Sequence, residues 1–327
     1  MTLKHLFLSL FLFAIISCGS SKSKKEKKQA LPTANLLETD FFKEYTISSS
    51  VYGTETTVSI KDGNRIMKTN ALPNHPTGEF PTRGNPNKIK AQKVSYRFPI
   101  NPKLSGKSKQ AREPGIALNG VKFEPGTAER FVCETGEVYR IEAFQDLVNL
   151  GLDFNNAHVQ PSGAYHYHGV PVELIKALDK GEDLILVGFA LDGFPIYYSK
   201  SGKYKPSFQV SKTDRTGNAC LYNNPKHGME KDLQNTSPDG TFVSDWEYKE
   251  GLGQLDECNG AEINGQYAYF VTEEYPYMSR CLKGVFTERQ RKGPPPGQHP
   301  RNRPPGGNGS NEGPPGGHPH NGNPHRH

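Results

Sequence analysis

The chain is short of everything that makes a membrane-spanning or helical protein. Its longest apolar stretch, Leu6 to Ile16, has eleven residues, against the ~20 that a spanning helix requires. No two of its five cysteines stand in a CxxC spacing, which argues against a zinc ribbon. Nothing repeats at 20 to 50 residues, so solenoids and propellers are excluded. An excess of basic charge on the folded part is also missing. The formal net charge is +6, yet residues 1–28 hold six Lys/Arg against one Glu, and residues 289–327 hold six against one. The middle, 29–288, is therefore net acidic by four, and the high pI speaks for the two ends rather than for a nucleic-acid face.

Those ends have their own character. "MTLKHLFLSLFLFAIISCGSS" has a basic start, a short apolar run and small residues around a cysteine, the layout of a secretory leader. "IISCG" resembles the lipobox of bacterial lipoproteins. The expectation is a signal peptide over 1–17 and a lipidated Cys18 that anchors the chain to the outer membrane of a Gram-negative-type cell envelope, since several acyl chains on one residue hold without a spanning segment. Residues 18–40 read as a solvated tether. From Gly293 to His327 there are ten Pro and nine Gly, too little apolar surface to offset ordering entropy, so 289–327 is expected to be a disordered tail. The tail's charge suits anionic lipid or an anionic envelope polymer such as a polysaccharide. Its histidines (His299, His318, His320, His325, His327) suit loose metal capture.

Between the ends lies one domain, 41–288. Four cysteines, Cys133, Cys220, Cys258 and Cys281, in an exported chain suggest two disulfides with three connectivities open. Nearness in sequence favours Cys258 with Cys281, which leaves Cys133 with Cys220. "YTISSSVYGTETTVSI" reads as strands, and "KVSYRFPI", ending in Pro99, as an edge strand. The region between them, with Pro73, Pro76, Pro81 and Pro86, reads as a loop ordered by packing. Asn119-Gly120 is expected to be a two-residue hairpin turn. Helical spacing occurs twice, in "IEAFQDLVNLG" and "PVELIKALDKG", each stopped by glycine. "DLILVGFALDGFPIYY" suits a buried strand that ends in a turn at Asp192-Gly193. The fold class is α+β and strand-dominated, an antiparallel domain with two short helices.

"HVQPSGAYHYHG" carries the chemistry. Pro161 suits the second position of a type I turn and Gly163 a left-handed position, the three-residue hairpin loop. That loop pairs His158 with His166 and Val159 with Tyr165. Paired and alternate residues share a face, so His158, His166 and His168 project together, with Tyr165 and Tyr167 opposite. A two-residue loop would send His158 to the tyrosine side. Three neutral imidazoles form an open coordination sphere for Zn²⁺ or Cu²⁺. Asp192 is expected to complete it or to orient an imidazole, with Glu173 a weaker candidate and His75 and His227 weaker still. The competing expectation is a surface module in which Trp246, Tyr248, Tyr267 and Tyr269 stack on sugars and the histidines are structural. A cupin-like site, from the HxH-x4-E spacing of His166, His168 and Glu173, lacks the flanking glycines.

"LNGVKFEPGTAE", "LGLDFNNAHVQPSGAYHYHG", "LVGFALDGFPIYY", "DWEYKEGLGQLDECNG" and "YAYFVTEEYPYMSRCLKG" together resemble the YHYH-domain family of exported bacterial proteins over about residues 115–285. The resemblance implies export and places His158, His166, His168, Asp192, Cys258 and Cys281 at motif positions. It implies no particular reaction or small-molecule substrate.

Overall fold

The computed structural model describes residues 33–224 and 228–287. The leader, Cys18, most of the tether, His227 and the tail lie outside the described residues. The end of the stretch read as tether is a helix, Thr33–Glu38 (α1), whose Leu36 is buried. Tyr45–Ser49 (β1), Thr54–Lys61 (β2), Asn64–Thr69 (β3) and Val94–Pro99 (β4) follow and form an antiparallel sheet in that order. Buried and exposed residues alternate along β1, as a half-buried strand requires. β4, closed by Pro99, lies at the edge, where a missing N–H costs no ladder bond.

Leu104–Gln110 (β5), Gly115–Ala117 (β6), Lys122–Phe123 (β7), Arg130–Val132 (β8) and Val138–Arg140 (β9) come next. Then come Ala157–Val159 (β10), Tyr165–Tyr167 (β11), the helix Val172–Leu178 (α2), Leu184–Ala190 (β12) and Pro195–Ser199 (β13). Short strands Phe208–Val210 (β14), Cys220–Tyr222 (β15), Glu230–Lys231 (β16) and Trp246–Tyr248 (β17) precede Gly260–Ile263 (β18), Gln266–Val271 (β19) and Cys281–Gly284 (β20). The largest sheet has the order β10-β11-β7-β6-β12-β13-β19-β18. Its β11–β7 and β13–β19 pairs are parallel, so the sheet is mixed rather than antiparallel throughout. β12, the apolar run, sits near its middle and is almost wholly buried.

One apolar core underlies both large sheets, and a smaller one, with Phe131, Ile141 and Phe242, lies under the β16-β15-β8-β9 sheet. Cys133–Cys220 and Cys258–Cys281 are both bonded. Closing these loops removes unfolded-state freedom worth about 3–5 kcal/mol each in the chain-entropy account.

Six places in the described chain use one loop design: three residues between paired ends, the last with positive φ. They close Ala117 to Val121, Cys133 to Glu137, Asp153 to Ala157, Gln160 to Ala164, Ala190 to Phe194 and Asp256 to Gly260. The Asn119-Gly120 turn is one of them, so it spans three residues and not two. Only Gly120 has positive φ there, whereas the two-residue type I′ turn needs it at both positions.

The helix expected over 141–151 does not form. Its side chains bond the backbone locally instead: Gln145 both donates to the Val148 carbonyl and accepts from its N–H, and Asn149 accepts from Gly151 N–H. Such bonds compete with the helical ladder. Phe144 packs at a tilt against Tyr277, and Glu142 is held by Arg280 through two bonds. Tertiary contacts thus outweigh a ten-residue periodicity. The second helix, α2, stands as expected.

A candidate metal centre

The hairpin β10–β11 has the register that its loop demands: Ala157 with Tyr167, His158 with His166, Val159 with Tyr165. Gly163 takes φ +88°, which a β-carbon would strain, and that β-carbon would also strike Lys90 at 2.6 Å. The proline-rich loop grips the outer edge. Asn85 and Asn87 both donate to the Val159 carbonyl, and Lys90 N–H donates to Gly163.

The alternation of Tyr and His separates two functions. On the tyrosine face everything is tied down. Tyr165 OH donates to Asp153 at 2.7 Å. Tyr167 OH lies 2.6 Å from His75 Nε2 and accepts from Asn119 at 3.0 Å. With His75 Nδ1 on the Pro76 carbonyl, the consistent tautomer has Nδ1–H donating there and Nε2 accepting from Tyr167. His75, fully buried, is therefore a support for the hairpin and not a ligand.

On the other face the three imidazoles meet. Their ring centroids form a near-equilateral triangle, 4.7 Å on every side. His166 and His168 are buried and His158 is half-buried. One nitrogen from each lies within 4.8 Å of the others, and His158 Nε2 is 3.1 Å from His168 Nε2. Nitrogens bound to one ion at ~2.1 Å each are at most ~4.2 Å apart, so closing the site asks little of the rings. The backs of two rings face backbone carbonyls. His158 Nδ1 is 2.7 Å from Leu150 O and His166 Nδ1 is 3.3 Å from Ala164 O. The third ring, His168, has a buried Nδ1 without a hydrogen-bond partner among the described residues. An Nδ1–H turned to a carbonyl leaves Nε2 bare and fixes the tautomer, the arrangement that supports histidine ligands.

Electrostatics favour the metal-ready form. Burial lowers the pKa of His158, and burial followed by the neighbouring imidazoles holds His166 and His168 well below the usual imidazole range. All three are thus neutral at pH 7, the state that binds metal.

Asp192, expected as a fourth ligand or an orienting carboxylate, is not part of this group. It is fully buried in the β12–β13 turn, where it accepts from Tyr269 OH at 2.6 Å and from the N–H groups of Gly284 and Phe194. Its turn faces β20, and its carboxylate serves that junction. Glu173 bonds Lys176 on α2, so the HxH-x4-E spacing assembles nothing. The aromatic alternative fares no better. Tyr269 is buried on Asp192, Tyr267 bonds Asp256, and Trp246 stacks on Tyr275 at 4.3 Å. Of the four, only Tyr248 is among the exposed large side chains.

The structure adds residues that were not anticipated. Lys122 on β7 stands beside His166 in the parallel ladder, and lateral partners share a face. Its amine bonds Glu113, Glu124 and Gln160, and Arg112 also bonds Glu124. His166 therefore borders a cluster of paired charges in which Lys122 and Glu124 are buried. "VKFEPG" alternates, so a strand reading could have put Lys122 and Glu124 on one face. That this face adjoins His166 is a parallel pairing between segments 44 residues apart in register, which no local pattern announces. A surface cavity of about 560 Å³ runs along residues 143–152, on the Leu150 side of His158, although no histidine lines it.

A protein-family model described as YHYH protein matches residues 95–284. No curated protein and no solved structure matches the chain.

Proposed function

The chain belongs to the YHYH protein family, and from that premise we propose an exported, lipid-anchored protein whose domain holds one transition-metal ion through His158, His166 and His168. The observation that carries the metal reading is the convergence of three neutral imidazoles, two of which turn their opposite nitrogens toward backbone carbonyls. Imidazole donors suit Zn²⁺ or Cu²⁺. Three protein ligands leave coordination positions open, as in catalytic rather than closed structural zinc sites. A Zn²⁺ ion there would supply Lewis-acid chemistry of the hydrolytic kind. The chain's own residues hold the imidazoles neutral and exclude water from His166 and His168. They leave the half-buried His158 as the side of approach.

The chain ending at Glu288, one of the two compact units of the chain, tests this without the tail histidines. Purified without nickel resin, it is expected to carry about one equivalent of metal by elemental analysis and to melt lower after EDTA treatment. A metal-free protein whose melting ignores added Zn²⁺ and Cu²⁺ defeats the reading.

Export and anchoring rest on the leader and on "IISCG". In a bacterial host, labelled palmitate is expected to enter the full chain and not its Cys18→Ser variant. Equal labelling, or none in either, counts against the anchor.

A further inference from the structure

Residues 80–112 contain nine Lys and Arg and not one Asp or Glu, a bias hidden by the acidic remainder of the domain. All nine are exposed. Arg112 pairs with Glu124 and Lys109 lies over the Phe286 ring at 4.9 Å. Among the described residues no ion pair holds the other seven.

Part of this segment, β5, is exposed along its whole length and pairs on one side only, with β20. Three aliphatic side chains stand out into solvent in its neighbourhood: Leu104 (56 % exposed), Val285 (70 %) and Ile100 (36 %). Their backbones meet at one junction of the fold. Leu104 pairs with Gly284, next to Val285. Gly284 N–H donates to Asp192, and the adjoining Gly193 packs against the Pro99 carbonyl, next to Ile100.

We propose that this edge is a docking surface for an anionic lipid bilayer. The aliphatic trio would enter the headgroup boundary, and Lys103, Lys107 and Lys109 would meet the lipid phosphates. Single exposed aliphatics are ordinary on any protein. Exposed aliphatics placed around one junction and interspersed with lysines, whose long stems can lie along apolar surface while the amine stays wet, have the composition of an interfacial element. Lysines on an open strand also deter edge-to-edge pairing. That role explains the charge but not the three aliphatics, which would promote the association that the lysines oppose. The basic character continues past Thr287 in the sequence, with Arg289, Arg291 and Lys292. The inference is independent of the histidines.

The chain from Gly19 to His327 serves for the test, since it lacks Cys18 and with it the acyl anchor. It is mixed with sedimentable vesicles of phosphatidylcholine alone or of equal parts phosphatidylcholine and phosphatidylglycerol. Sedimentation is expected with the anionic vesicles only. Two variants, Lys103→Glu with Lys107→Glu and Leu104→Ser with Val285→Ser, are each expected to lower partitioning about tenfold while melting and both disulfides stay as in the parent. If neither variant weakens sedimentation, the basic ends carry the binding and the proposal falls. It falls equally if neutral vesicles bind as well. It also falls if only the lysine variant loses binding and loses heparin retention in parallel, which would assign the surface to a soluble polyanion.

Discussion

Replacing His166 and His168 together by Ala is expected to abolish metal binding, with affinity falling by well over 100-fold, a loss greater than that of a supporting residue outside the coordination sphere. His166 lies on β11, His168 directly follows it, and both are buried, so a single remaining imidazole, His158, would be left on an open face. Titration of the EDTA-treated chain ending at Glu288 with Zn²⁺ or Cu²⁺ reads the change directly. His75→Ala is the informative companion. It also removes a buried imidazole, but one whose Nε2 is engaged by Tyr167 on the opposite face. It should lower stability and leave about one equivalent of metal. Should the histidine pair be replaced without any change in stoichiometry, or should His75→Ala abolish binding as completely, the shared-face assignment is wrong.

The second large effect is on stability. Asp192→Ala is expected to cost about 3–5 kcal/mol, because it strands several buried donors at once and each stranded group costs about 1–3 kcal/mol. The carboxylate ties three elements: Phe194 N–H in its own turn, Tyr269 OH on β19, and Gly284 N–H on β20. Lys283 N–H in turn donates to Tyr269 OH at 2.7 Å, so the loss propagates along β20. Burial pushes the Asp192 carboxyl upward while these bonds pull it down. Denaturant unfolding measures the cost, and metal analysis of the surviving folded protein should show the stoichiometry of the parent. A variant with parental stability, or one folded but metal-free, would return Asp192 to the metal site.

The contrast between these two sites marks what is legible in the sequence. His166 and His168 could be placed with His158 because "QPSG" is a local device: a proline at one turn position and a glycine at another set a loop length, the loop length sets the register, and the register sets the face. The disulfide choice rested on nearness in sequence and matches the bonded pairs. Strands with β-branched alternation and the buried run 184–190 were likewise legible. The helix over 141–151 was not, because Gln145 and Asn149 had backbone partners within reach and Phe144 had a distant one. Asp192 looked like a ligand because a carboxylate near a turn is chemically apt for one. Whom it faces depends on β20, some ninety residues further along.

Sequence alone therefore determined the hairpin, its register, the separation of imidazoles from phenols and the chemistry available to that face. Tertiary structure decided the rest: which carbonyls stand behind the imidazoles, which charges border His166, and that burial keeps the rings neutral. The physical reason is range. Turn geometry and side-chain alternation act over a few residues and are written in neighbouring letters. Burial and long-range pairing are properties of the packed sheet, in which Lys122 meets His166 and Tyr167 meets His75 only after strands far apart in the chain have come together.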